Sequence, residues 1–266
     1  MAGSPLFDFC IRLLLLPLLA FQAVRVRKTA QALAEPQGPR AADGNGPSLR
    51  LRIIGDSSAA GVGVTQQSDA LAGQLSRALA QSFTVTWVLD AKTGETTKST
   101  LARLTKRPAA KADIVICVLG ANDATRLTQV WLRRRRQRRL MARIKTLYAP
   151  DLTYLTAVPP LEHFPLLPNP LRWCLGRHAR ALDLAQQTLT TPLPDIIHLP
   201  FQYDPQPEFA ASDGFHPSAV LYQIWAKEMA SRICADWPKS QHSHTGCERA
   251  VPNSTASEPS DQTHRV

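Results

Sequence analysis

The chain has 266 residues, 44% of them apolar, with 31 Lys and Arg against 21 Asp and Glu, a formal net charge of +10. That length argues against two large domains and suits one domain with appendages at its ends. The basic balance favours anionic partners such as phospholipid headgroups or nucleic acid, and five cysteines without CxxC spacing (Cys10, Cys117, Cys174, Cys234 and Cys247) imply neither a disulfide framework nor a zinc site.

Taken in chain order, the first feature is an apolar run from Phe9 to Val24, broken by Arg12, Pro17 and Gln22. It falls short of the roughly 20 residues that cross a bilayer. A membrane anchor extended by Leu6 and Phe7, a cleaved signal peptide and an interfacial helix are all open readings of residues 1–34. Arg25, Arg27 and Lys28 directly after the run favour the anchor, because a signal peptide carries its charges before the apolar stretch. By the positive-inside rule the remaining chain then stands on the cytoplasmic face. The cleavage-like Ala32-Leu33-Ala34 keeps export to the periplasm or outside as the alternative. Residues 35–47, EPQGPRAADGNGP, have the composition of a linker.

Residues 48–237 alternate β-rich runs with helical patterns. The runs are LRLRII before Gly55, TVTWVL at 84–89, DIVICVL at 113–119, LTYLTAV at 152–158 and a weaker DIIHL at 195–199. Stretches such as Leu71 to Ala80 and Leu140 to Leu147 separate them, a βαβ arrangement that predicts a three-layer α/β/α sandwich with a mainly parallel sheet. Cys117 sits in the most apolar run and reads as a small buried hydrophobe. Ligands of such sheets bind outside the carboxyl ends of the strands, so the residues after each run are where chemistry belongs.

Four groups stand at those places. Gly55-Asp56-Ser57-Ser58 follows the first run, and the small residues Ala59 to Gly63 permit a tight turn that exposes Ser57 as a nucleophile. After the second run comes Gly94, whose N–H can approach a substrate oxygen unobstructed. Beyond the third, Gly120-Ala121-Asn122-Asp123 offers the Asn122 amide as a donor. Near the end, Asp213-Gly214-Phe215-His216 leads through Pro217 into a helical pattern of Leu221, Trp225 and Met229. Alone, each is an ordinary turn, cap or loop; each nevertheless falls where chemistry at the strand ends could use it.

The ordered set Gly-Asp-Ser, isolated Gly, Gly-x-Asn-Asp and Asp-x-x-His, over residues 50 to about 235, resembles the four blocks of SGNH (GDSL) hydrolases. GDSSAAGVGV, LGANDATRL and DGFHPSA are similar to a bacterial GDSL-type esterase group that often carries an N-terminal apolar segment. The resemblance implies a flavodoxin-like sandwich and a carboxylic ester hydrolase needing no metal or cofactor. It makes Ser57 the nucleophile, His216 the base and then the acid, and Asp213 the group that orients the imidazole. The Ser57 N–H, the Gly94 N–H and the Asn122 amide would form the oxyanion hole. A lipid-like or acylated ester is the expected substrate. Acyl (acetyl) transfer or deacetylation on glycans, and a basic membrane- or nucleic-acid-binding module with a vestigial site, are the alternatives.

Other residues are read more plainly. Arg133, Arg134, Arg135, Arg136, Arg138 and Arg139 lie in a helical pattern above a stripe of Leu140, Ile144 and Leu147, so they form either a solvated face or a contact for anionic lipid headgroups. Nucleic acid is disfavoured there for want of interleaved aromatics. His163, His178 and His198 are rival bases without a carboxylate at comparable spacing, and His198 reads as structural. The proline-rich stretch PPLEHFPLLPNPL, 159–171, is either one wall of an acyl pocket or a packed connection. Residues 238–266 read as a disordered tail, in which His242, His244 and Cys247 lack a fixed metal geometry.

Overall fold

The computed structural model describes residues 14–42, 48–201 and 204–245, with Ser48 and the last eight residues described as backbone only. The apolar run before Leu14 and the expected tail beyond Thr245 lie outside the described residues. Helix α1 spans Leu16–Thr29, followed by a two-residue strand β1 (Ala41–Ala42) and the long strand β2 (Ser48–Gly55). A one-turn helix α2 (Ser57–Ala60), α3 (Leu71–Leu79), β3 (Thr84–Ala91), α4 (Thr97–Leu104) and β4 (Ile114–Val118) come next. Then follow α5 (Ala121–Thr125), α6 (Val130–Tyr148), β5 (Leu152–Thr156), α7 (Leu171–Thr190), β6 (Ile196–Leu199) and α8 (Ala219–Thr245).

All five β-rich runs become strands, in the sheet order β1-β3-β2-β4-β5-β6, parallel throughout except for β1. Strand β4 is buried at every position because its side chains alternate between two cores. Ile114, Ile116 and Val118 join α3 and α8 on one face, while Val115 and Cys117 meet α4, α6 and α7 on the other. This is the three-layer sandwich.

Two expectations are corrected. The linker at 35–47 is docked as far as it is described: Ala41 and Ala42 pair with Val88 and Trp87, and Gln37 bridges to Gln66. Glu35 accepts from the Thr93 backbone and hydroxyl, and the guanidinium of Arg40 donates to the Ala91 carbonyl. The free edge of β3 offers unpaired backbone groups, and they recruit the nearest extended chain whatever its Pro and Gly content. Helix α8, in turn, runs on to Thr245, past the expected boundary at residue 237. Among the described residues no helix is long and apolar enough to cross a membrane.

Candidate active site

The site lies at the carboxyl ends of β3, β2 and β4, where the sheet register sets Ala91, Gly55 and Val118 side by side. Gly55 closes β2 because nothing larger fits: a Cβ there would lie 2.3 Å from the Val118 carbonyl oxygen and 2.7 Å from Ala59 Cβ. Asp56 then caps α2, its Oδ1 accepting from the Ser58 N–H at 3.0 Å. Ser57 is the first residue of that helix rather than an open-loop residue, and it is buried, 6% exposed. The expectation of an exposed serine fails because His216 closes over it.

His216 Nε2 stands 3.0 Å from Ser57 Oγ, and its Nδ1 stands 2.5 Å from Asp213 Oδ2. The loop that carries both folds around the aspartate: Asp213 Oδ1 accepts the N–H groups of Phe215 and His216, each at 3.0 Å. Burial by itself would push the Asp213 carboxyl up. The His216 side chain and the two backbone N–H groups outweigh it and hold the carboxyl below its ordinary value. An ionised Asp213 requires a proton on Nδ1, which leaves the Nε2 lone pair facing the serine.

Asn122 lies in α5, directly after Gly120, whose φ of +150° and 2.8 Å approach of a notional Cβ to Val158 exclude other residues. Its Nδ2 donates to Asp56 Oδ2 at 3.5 Å. Gly94 sits in the turn after β3 with φ +81°, and its carbonyl accepts from Arg126 at 3.1 Å, which ties this turn to the end of α5. Three of the four blocks stand at the carboxyl ends of β2, β3 and β4, and the fourth reaches them through His216. Ser57 meets His216 and His216 meets Asp213, while Asn122 reaches Asp56 and Gly94 is tied to Arg126.

Several residues of the site were not singled out in the sequence. Asp56, completely buried, has its carboxyl pushed up to about 7; desolvation dominates, and nearby Asp123 and Glu95 add to it. Asp123 Oδ2 accepts both the N–H and the hydroxyl of Thr97, at 2.9 and 2.6 Å, so it joins α5 to the start of α4 beyond Gly94. Arg133 lies 3.6 Å from the same carboxylate and donates to the carbonyls of Leu119 and Leu182 and to Gln186. Arg133 is 1% exposed and therefore leaves the expected surface patch; Arg134, Arg135, Arg138 and Arg139 are exposed. The helical period carries the reason, since Arg133, Gln137, Leu140 and Ile144 share the inward face of α6.

Beside His216 opens a cavity of about 120 Å³. Phe164, Phe201, Phe209, Phe215, Leu221 and Trp225 are the large apolar side chains along its wall. Pro159, Pro160 and Pro165 contribute from the proline-rich stretch, so that stretch does wall the cavity, while its Leu161, Leu167 and Leu171 pack inward as a connection. Of the rival bases, His163 lines the cavity, His178 meets the Thr128 carbonyl, and His198 pairs with Asp183 at 3.0 Å. Among the described residues no group of His, Cys, Asp and Glu could hold a metal ion.

A serine, an imidazole and a carboxylate in hydrogen-bonded sequence, at the strand ends of a mainly parallel α/β/α sandwich, are what a serine esterase of the SGNH class carries. Residues 53–224, more than half of the chain, match the GDSL-like lipase/acylhydrolase family, and the chain belongs to it. No curated protein matches the chain. Among solved structures, a lipase/acylhydrolase from Enterococcus faecalis is 23% identical with a TM-score of 0.54, over 70% of this chain and 95% of that one. The psychrotrophic esterase EstA from Pseudoalteromonas sp. is 20% identical with a TM-score of 0.54, over 72% and 99%. The acetylxylan esterase Axe2 from Geobacillus stearothermophilus is 18% identical with a TM-score of 0.52, over 72% and 97%. At such identities these structures share the fold with this chain.

Proposed function

We propose that this esterase hydrolyses carboxylic esters with a short apolar acyl group through a Ser57 acyl-enzyme. The observation that carries the reading is the Ser57–His216–Asp213 chain of hydrogen bonds opening on an apolar cavity. His216 Nε2 takes the Ser57 proton, the oxygen attacks the ester carbonyl, and the negative oxygen that forms meets the Ser57 and Gly94 N–H groups and the Asn122 amide. Collapse expels the alcohol, which receives the proton from His216. A water, deprotonated by the same nitrogen, then releases the acid and restores Ser57. Throughout, Asp213 holds the imidazole in one tautomer and stabilises its positive charge.

The wall explains the substrate class. Four phenylalanines, a leucine and a tryptophan bury alkyl surface well and offer few hydrogen bonds to sugar hydroxyls. Deacetylation of a glycan, suggested by the name of the Axe2 neighbour, would need those partners outside the cavity. A cavity of about 120 Å³, several times what a single water needs, takes a chain of a few carbons. A series of p-nitrophenyl esters from acetate to decanoate tests this: kcat/KM should peak among the short esters. A peak at decanoate contradicts the acyl assignment, and no turnover of any ester contradicts the reading as a whole.

A further inference from the structure

Helix α1 uses only one of its faces on the protein. Leu15, Leu19, Gln22 and Val26, spaced four, three and four apart, are half-buried, and Leu19 and Val26 pack on the cluster of Val158, Leu161, Leu171 and Leu175. Gln22 fixes the helix in rotation: its Nε2 donates to the Asn169 carbonyl at 2.7 Å and its Oε1 accepts the Leu171 N–H at 3.1 Å. That turns the adjoining flank outward in a defined direction. It carries Leu14, Leu18 and Phe21, 82, 43 and 64% exposed, in line with Arg25 and Lys28. Leu16, Val24 and Arg27, also exposed, lie elsewhere round the helix.

An apolar stripe of Leu14, Leu18 and Phe21 that runs into Arg25 and Lys28 has no counterpart to bury it within the described chain, and water does not favour three large apolar side chains in line. Basic residues at a helix C-terminus suit the helix dipole, but the dipole gives no reason for the exposed leucines and Phe21. An anionic bilayer satisfies both halves, acyl tails for the stripe and phosphate headgroups for the cations. From Leu16 to Val24 the described part of the helix rises only about 12 Å, less than half the thickness of the hydrocarbon core. One face is meanwhile occupied by protein through a polar glutamine clamp.

We propose that α1 is an interfacial helix that seats the enzyme on an anionic lipid surface through Leu14, Leu18 and Phe21, with Arg25 and Lys28 on the headgroups. The Asn169 and Leu171 backbone that Gln22 clamps ends the proline-rich stretch walling the acyl cavity, so lipid contact holds the pocket wall at a fixed place relative to the membrane. This goes beyond ester hydrolysis and does not depend on it.

The test is flotation of the full chain with vesicles of phosphatidylcholine alone or mixed with phosphatidylglycerol, read without any turnover. The wild type should float with the mixed vesicles at low salt and progressively less as salt rises. Leu18→Glu with Phe21→Glu should lower the bound fraction on the order of tenfold or more, with an unchanged circular dichroism spectrum and melting temperature. Arg25→Gln and Lys28→Gln together should abolish the preference for phosphatidylglycerol. Wild type left in the aqueous phase, or a double-glutamate variant that floats equally well, overturns the proposal. So does a wild-type dimer that the same variant makes monomeric without any vesicle binding.

Discussion

Asp213 gives its two oxygens different work: Oδ2 takes the His216 Nδ1 proton at 2.5 Å, and Oδ1 takes the backbone N–H of His216 at 3.0 Å. The same carboxylate therefore orients the ring and shapes the loop that carries it. Asparagine can keep the loop bond but presents an N–H to Nδ1 when its amide turns, which favours the tautomer whose Nε2 carries the proton. Asp213→Asn is predicted to lower kcat by about 10³-fold or more while leaving the fold intact. Steady-state kinetics on a soluble ester check this; a loss below tenfold contradicts the orienting role.

Asn122 Nδ2 donates one N–H to Asp56 Oδ2 at 3.5 Å, and the proposed mechanism gives its second N–H to the oxyanion. Asn122→Ala should reduce kcat on the order of a hundredfold with little change in KM, the signature of a donor used in the transition state. A change confined to KM would move Asn122 out of the oxyanion hole.

Asp56 makes stability fall with pH. Its folded value of about 7 lies above the ordinary 3.8, so between these two values the folded chain binds the extra proton. The stabilisation is complete below the lower value and is lost as pH rises through the upper one. Asp56→Asn removes this dependence. Urea unfolding across that window should show a shallower decline for the variant than for the wild type, and parallel curves would contradict the assignment.

Arg133 and Asp123 form a buried pair whose members depend on each other. Arg133→Met leaves the Asp123 carboxylate without its cation in the interior and is predicted to destabilise the domain by about 3 kcal/mol or more. Adding Asp123→Asn should recover part of that loss, because the amide oxygen still accepts from Thr97 and no charge remains. A double-mutant cycle in urea measures the coupling, and strict additivity would show that the pair is independent.

Gly55 and Gly94 separate packing from conformation. Gly55→Ala drives a methyl into the Val118 backbone and should abolish soluble folded protein. At Gly94 a Cβ meets only an Arg126 nitrogen at 4.0 Å, so Gly94→Ala has room and bears only the strain of φ +81°, about 1–2 kcal/mol. Thermal melts of the two variants check the contrast.

The strands and the mainly parallel sheet were legible because each strand is a dense apolar run; Ser57 follows one directly, whereas Asp213 and His216, well beyond β6, were marked only by their Asp-x-x-His spacing before a helix. What was illegible depends on pairing across the fold. Arg133 sits among five other arginines, and only its place on the helical period, in line with Leu140 and Ile144, marks it as the one facing inward. The docking of residues 35–42 was hidden because its partners are the exposed edge of β3, Thr93 and the backbone of Thr65 and Gln67, all far along the chain. The elevated Asp56 carboxyl arises from burial beside Asp123 and Glu95, neighbours that no local spacing reveals.

The central claim is that Ser57 is the nucleophile activated by His216. A fluorophosphonate probe reads it directly, by mass spectrometry of the labelled peptide in wild type and in Ser57→Ala, each with an intact melting transition. The account predicts stoichiometric label on Ser57 in the wild type and none in the variant. Equal labelling of Ser57→Ala, or a folded wild type that takes no label, would contradict it.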